Sequence, residues 1–334
     1  MCPYSASRAK SSSGFFDGQQ ANRIGRLEPD EAQLGWAATL FREASRQCHY
    51  FTTNSGKAER IVLLDYHLHS TCSADGISTI AQYCRRAAEQ GFMEIGFCEH
   101  ADFDPRDRSY GFFDYALFRR RIEAQRERYG HSLVIRAAVE VTYQACREGE
   151  IREFLKGKEL DYVIGSVHLV EDGREWAMVS EEGRCERYFA RRSMRQAYRP
   201  YFAEVRRAVE SDLFDLIGHL DLAKRYGVRY YGPFELSLFA AEVREILQLA
   251  VERGVGLEIN TSGLRQAPRE TYPALEVLKW YRELGGEILT VGSDAHSVED
   301  LGKGIAEALG LAREAGFEAI TLFEKRKPRG LRIT

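Results

Sequence analysis

The chain has 334 residues, 44% of them hydrophobic and 29% charged, with a formal net charge of -3 at neutral pH. That length suits one large core or two ordinary ones, and the near-neutral charge argues against a nucleic-acid surface or a polybasic membrane anchor. No apolar run approaches the roughly 20 residues a membrane helix needs, and the opening stretch MCPYSASRAKSSSGFFDGQQ lacks the apolar core of a secretory signal.

Residues 1–57 read as an N-terminal extension and residues 58–334 as one domain. The extension begins Ser-rich and holds one helical segment, Pro29 to Gln47, with Leu34, Ala37, Phe41 and Ala44 as its apolar stripe. From Ile61 onward, short β-branched runs alternate with helical stretches. The runs are Ile61–His67, Met93–His100, Leu133–Glu140, Tyr162–His168, Leu213–His219, Val255–Asn260 and Ile288–Asp294. Helical patterns fall at Thr79–Gln90, Tyr115–Tyr129, Glu235–Arg253 and Val298–Ala315. Strands alternating with helices predict a parallel sheet of α/β class. Seven units predict a barrel one unit short of eight, with an open doubly wound sheet as the alternative. The seven cysteines (Cys2, Cys48, Cys72, Cys84, Cys98, Cys146 and Cys185) are odd in number and form no CxxC pair, as expected of reduced thiols in a cytoplasmic protein.

What recurs along the runs is an ionisable residue at the C-terminal end, where barrels of this kind build their sites. His67 and His69 are two apart on a strand, so both imidazoles share a face and form half of a metal-type site. Glu99 and His100 end the second run, Glu140 the third, His168 the fourth and His219 the fifth. Asp294 and His296 repeat the two-apart spacing with one carboxylate and one imidazole. A carboxylate such as Glu140 at the end of an apolar strand needs a cationic partner, because burying it alone is costly.

This order of HxH, Asp75, Glu-His, Glu140, Gly-Ser-Val-His168, Gly-His219-Leu-Asp and Ser-Asp294-Ala-His296 resembles the polymerase and histidinol phosphatase (PHP) family over about residues 61–330. Ile164–His168, Glu258–Arg265, Tyr272-Pro273 and the basic strand-like tail from Ile320 are similar to its histidinol-phosphatase branch. The resemblance implies a distorted (β/α)7 TIM-like barrel and three divalent metal ions of zinc, manganese or iron type. His67, His69, Glu140 and Asp294 would hold the first ion. Glu140, His168 and His219 would hold the second, with Glu140 bridging, and Asp75, His100 and His296 the third. The long extension departs from the family pattern, whose members often begin just before the HxH.

The implied activity is hydrolysis of a small-molecule phosphomonoester, L-histidinol phosphate first, in histidine biosynthesis. Such esters are among the slowest to hydrolyse unaided, and two ions about 3.5–4 Å apart can both activate water and neutralise phosphoryl charge. Asp294 and His296 are the residues expected at the chemistry, and a metal-bound water or a carboxylic acid such as Asp294 is the expected proton source for the leaving alkoxide. Arg265 is the expected phosphate clamp, with Lys224 and Arg225 behind it. Glu99, Asp102 and Asp104 are candidate acceptors for the substrate's ammonium and imidazole. The alternative is a phosphoesterase for nucleotides or nucleic-acid ends, with the stretch Arg184–Arg199 as a basic track.

Overall fold

The computed structural model describes residues 50–52, 58–60, 62–173 and 175–333. The helix expected at Pro29–Gln47 lies outside them. Tyr50–Thr52 and Ala58–Arg60 pair as an antiparallel hairpin.

Seven strands form the central sheet: β1 (Leu64–Leu68), β2 (Glu94–Ala101), β3 (Val134–Thr142), β4 (Tyr162–Ser166), β5 (Leu216–Ile217), β6 (Gly256–Asn260) and β7 (Leu289–Gly292). Their spatial order is their order in sequence, and every pairing is parallel. The residues of β2 are almost all buried, the mark of a parallel strand covered on both faces. The sheet nearly closes on itself: Leu68 bridges Ala295 in parallel, and the His69 N–H donates to the Ala295 carbonyl at 2.9 Å. The expected barrel is therefore the observed one, and the open sheet is not.

The seam between β1 and β7 is reinforced by Asp65, which is fully buried. Its Oδ1 accepts the Ser293 N–H at 2.8 Å, and Oδ2 accepts the Ser293 hydroxyl and the Gly302 N–H at 2.9 Å. Burial pushes its carboxyl up to about 6 against the lowering effect of these donors.

Helices lie between the strands, with ends set by local chemistry. Ile80–Glu89 starts at a capping box in which Thr79 and Gln82 bond each other's backbone N–H. Tyr115–Tyr129 starts at Asp114, whose carboxylate accepts the Leu117 N–H at 2.9 Å. The patterns at Glu235–Arg253 and Val298–Ala315 each resolve into a short 3-10 turn followed by a helix, Ala240–Arg253 and Ile305–Glu314. The arginine-rich stretch becomes the short helix Glu186–Ala190 and the start of Met194–Glu210, which bury Tyr188, Phe189, Ala197 and Tyr198. Before it stands a hairpin absent from the sequence reading, Leu169–Glu171 with Trp176–Met178.

The basic tail is a third hairpin, Ala319–Glu324 with Lys327–Arg332. Its turn residues Lys325 and Arg326 bond Asp161, just ahead of β4, and Arg326 pairs with Asp215, just ahead of β5. Arg329 reaches Glu94, the first residue of β2. The hairpin thus covers the N-terminal end of the barrel, leaving the C-terminal end for the site.

Asp65→Ala strands buried N–H donors at the seam, a loss of about 2–5 kcal/mol. Urea unfolding of chelator-treated protein is expected to show it, with Ser293→Ala losing less. A loss below about 1 kcal/mol for Asp65→Ala would show the seam held by packing alone.

Candidate metal centre

The C-terminal strand ends bring the nine expected ligand positions together around Glu140. This carboxylate is only 1% exposed. Its Oε1 lies 2.8 Å from His219 Nε2 and 3.4 Å from His168 Nε2. Its Oε2 lies 3.1 Å from His100 Nδ1, 3.4 Å from His67 Nε2 and 3.5 Å from His69 Nε2. His69 Nε2 also stands 3.5 Å from Asp294 Oδ1, which is 3.5 Å from His296 Nδ1. Asp75 Oδ2 meets His296 Nε2 at 3.3 Å and His100 Nε2 at 3.6 Å.

The lone pairs converge in a way hydrogen bonding alone does not explain. His67 Nε2 and His69 Nε2 face each other at 3.0 Å, and His168 Nε2 and His219 Nε2 at 3.2 Å. A neutral imidazole has one donor and one acceptor nitrogen, so each facing pair holds at most one proton between two atoms aimed at the same point. One Asp75 oxygen is buried with no hydrogen-bond partner. Among the described residues, three groups have ligand atoms within 4.8 Å of one another: His67, His69 and Glu140; His100, Glu140 and His168; and His69, His100 and His296. The set is nitrogen and oxygen without thiolate, which suits zinc, manganese or iron. It fits divalent metal ions.

Electrostatics say the same. Burial alone would raise Glu140, but His168 and His67 outweigh it and hold the carboxyl well below its usual range. Burial opposes charge on His100, yet Glu140 and then Asp75 lift it to about 10. Burial, then the imidazoles of His100 and His296, push His69 down to about 3. The cluster demands positive charge at its centre and crowds out part of what protons can supply. Asp294, despite its burial, is held well below the carboxylate range by His69 and His67. That direction favours the ionised carboxylate, which suits an acceptor better than a proton source.

Two ligands sit on unusual backbone. His219 and Asp294 have φ of 26° and 54°, the left-handed region that favours glycine. Both follow a strand end, where the turn aims the side chain inward. Such residues cost about 1–3 kcal/mol each and persist where the surroundings over-determine them.

A layer of partners behind the ligands was not singled out in the sequence. Glu258 Oε1 lies 2.5 Å from His67 Nδ1. The Thr142 hydroxyl is 2.7 Å from His168 Nδ1. Asn260 and Ser262 donate to Asp294 Oδ2 at 3.3 and 3.1 Å. Glu258, Asn260 and Ser262 share the Glu258–Arg265 stretch, whose polarity in a buried strand was the available signal. Glu99, expected as a substrate contact, instead accepts from Ser70 and Ser73, and Ser73 Oγ stands 3.3 Å from His69 Nδ1.

The metal cluster floors a cavity of about 440 Å³, lined further by Asp102, Asp107, Arg108, Ser109, Ser180, Glu181, Glu182, Arg225 and Tyr226. Arg265 is not among these residues. Its Nη2 donates to the Ser293 carbonyl at 2.7 Å and Nε lies 4.0 Å from Asp300, which ties it to the loop carrying Asp294. Lys224 is fully buried and bonded to Asp221, Glu270 and the Thr271 carbonyl. Asp104 is taken by Arg106 and Gln144. Arg108 and Arg225 are the guanidinium groups at the cavity. Asp102 is the buried carboxylate on its wall, with one oxygen lacking a hydrogen-bond partner.

A family model for the PHP domain matches residues 65–262, more than half of the chain. The chain is 30% identical over 271 residues to a probable histidinol-phosphatase of Deinococcus radiodurans, covering 79% of this chain and 98% of that protein. It is 29% identical to a histidinol-phosphatase of Lactococcus lactis, over 79% of this chain and 95% of that one. The structure of histidinol phosphate phosphatase from Lactococcus lactis, complexed with zinc, L-histidinol and phosphate, superposes with a TM-score of 0.70 at 25% identity, covering 80% of this chain and 98% of that one. A barrel ending in these ligands, matched by family and by relatives across nearly their whole length, makes the chain a member of the PHP domain family, on its histidinol-phosphatase branch.

Proposed function

We propose that the protein is a metal-dependent phosphomonoesterase that hydrolyses L-histidinol phosphate to L-histidinol and phosphate. The observation that carries this reading is the convergence of imidazole lone pairs on Glu140 at the floor of a cavity that also holds two guanidinium groups. The likeness to relatives named histidinol-phosphatase, and to the zinc, L-histidinol and phosphate complex, supports the substrate.

His67, His69, Glu140 and Asp294 would hold one ion, Glu140, His168 and His219 a second, and Asp75, His100 and His296 a third. Divalent ions there supply Lewis-acid charge to phosphoryl oxygens and bring the deprotonation of water near neutral pH. The chain's own residues do the rest. Arg225 and Arg108 are placed to bind phosphate oxygens from the cavity wall, and a guanidinium offers the fork geometry that task favours. Asp102, a carboxylate on the cavity wall, is placed to receive the substrate's ammonium. Walls of this size enclose a small ligand and limit access of bulk water.

The nucleic-acid alternative finds less support. In the arginine-rich stretch, Arg187, Arg191 and Arg192 pair with Glu175, Arg192 also with Asp172, and Arg199 with Glu242. The groove lined by Arg191, Arg192, Arg195 and Arg199 shares no lining residue with the metal cavity.

Three outcomes test the reading. In a phosphate-release screen of about twenty phosphomonoesters, L-histidinol phosphate is expected to be turned over far faster than sugar phosphates or nucleotides with zinc or manganese present, and not at all with chelator. Equal rates across the panel sink the substrate assignment. Asp294→Ala and His168→Ala are each expected to abolish turnover while circular dichroism stays that of the parent, and surviving activity removes those residues from the site. Asp102→Asn is expected to raise KM for L-histidinol phosphate about 10–100-fold, the worth of a hydrogen bond to a charged group, while leaving an aryl phosphate that carries no ammonium unaffected. Equal losses on both substrates show Asp102 acting on the fold or the metals instead.

A further inference from the structure

Glu258 is the one carboxylate among the described residues that touches two of the expected ligand residues while lining no part of the cavity. It lies in β6, 1% exposed. Its Oε1 is 2.5 Å from His67 Nδ1, and its Oε2 accepts the His219 backbone N–H and the Asn260 amide, both at 3.2 Å. One side chain therefore joins β1, the turn after β5 and the end of β6. Two neighbouring positions are glycine where a side chain would intrude. A Cβ at Gly292 would stand 2.6 Å from Oε1 and 2.4 Å from the His67 Cβ, and one at Gly218 would stand 2.5 Å from the Ser166 hydroxyl and 3.5 Å from Oε2.

We propose that Glu258 is the positioning residue of the metal centre. It holds His67 in the tautomer protonated on Nδ1, so that Nε2 presents its lone pair beside Glu140, and it fixes the turn from which His219 reaches the other Glu140 oxygen. A carboxylate behind a ligating imidazole sets the ring's tautomer and orientation and raises its basicity, and losing such a partner typically weakens metal binding about 10–100-fold. Glu258 stands behind a ligand of the first proposed ion and, through backbone, a ligand of the second, so it tunes both. The inference rests on the reading of the cluster as a metal centre.

The test is metal affinity, measured by competition with a chromophoric chelator using zinc or manganese on the full chain. Glu258→Gln keeps the side-chain shape and removes the charge. It is expected to weaken binding about 10–100-fold, to lower the thermal stabilisation gained on adding metal, and to leave the melting temperature of the chelated protein at or above that of the parent. Glu258→Asp, which keeps the charge but withdraws it, is expected to fall between the two. An affinity within threefold of the parent overturns the proposal, as does a chelated Glu258→Gln protein that loses as much stability as the metal-loaded one. Wild-type protein labelled with 15N-histidine provides a readout that needs no variant. With metal bound, its proton–nitrogen correlations are expected to place a proton on His67 Nδ1, and a proton on Nε2 overturns the proposal. Failure of the wild-type protein to bind either metal sinks the metal-centre reading itself, whereas normal wild-type binding with an unaffected Glu258→Gln variant sinks only the role of Glu258.

Discussion

The structure turns on one buried charge. Glu140 is surrounded by five imidazole nitrogens within 3.5 Å and is only 1% exposed, at the floor of the cavity. An isolated carboxylate in such a place is prohibitively costly, so it must be matched by positive charge. Protons can supply some of it, and they do so unevenly: His100 is lifted while His69, flanked by His100 and His296, is driven down. Imidazoles packed with ring centroids 4.2–4.3 Å apart cannot all be charged. A divalent ion resolves the conflict, because it concentrates two charges where the neutral rings already aim their lone pairs. The affinity of the centre for metal and the discomfort of the cluster without it are one property.

The barrel makes that concentration possible. Parallel strands whose inner faces are buried deliver side chains to one end at fixed spacing, and Asp65 locks the β1–β7 seam across which His67, His69 and Asp294 meet. Strain is accepted where the ligands require it. The turns at His219 and Asp294 adopt left-handed backbone, and Asp is among the residues that tolerate that region best. The compensating contacts are visible: the His219 N–H is held by Glu258, and the Asp294 carboxylate by Asn260 and Ser262. The opposite end of the barrel is closed by the C-terminal hairpin, in which the Lys325 N–H donates to Asp161 and the Arg326 and Arg329 side chains pair with Asp215 and Glu94. The basic tail is thus part of the fold.

Much of this was legible in the sequence, for a physical reason. A His, Glu or Asp at the end of an apolar strand is conspicuous because burial forbids it without a partner, and six of the seven strands repeating that anomaly in register identify a shared site. All nine expected ligand positions meet. What the strands do not encode is where loops travel. Arg265 was read as a phosphate clamp because it follows β6 closely, yet its loop turns it onto the Ser293 carbonyl. Arg108, from the long loop after β2, reaches the cavity instead. Glu258 was passed over because a carboxylate inside a buried strand has no characteristic spacing. Its meaning appears only when His67, 191 positions earlier, is brought against it. The hairpin Leu169–Glu171 with Trp176–Met178 is too short for periodicity to register.

The two nitrogens of His100 face different parts of the centre. Nδ1 stands 3.1 Å from Glu140 and Nε2 stands 3.6 Å from Asp75. A neutral imidazole offers one lone pair and one N–H, so it can ligate on one side only. With Asp75 and His296 on the Nε2 side and an acceptor carboxylate on the Nδ1 side, the consistent assignment puts the proton toward Glu140 and the lone pair toward the proposed third site. Glu140 would then stand behind His100 as Glu258 stands behind His67, its charge 3.1 Å from Nδ1 favouring a proton there. Glu140 would serve as ligand to two of the proposed ions and as the charge facing the imidazole of the third. Filling any one site changes the charge that Glu140 presents to the others, and by linkage the sites are expected to influence each other's affinities reciprocally. The three sites are better understood as one electrostatic unit built on a single carboxylate than as separate metal positions.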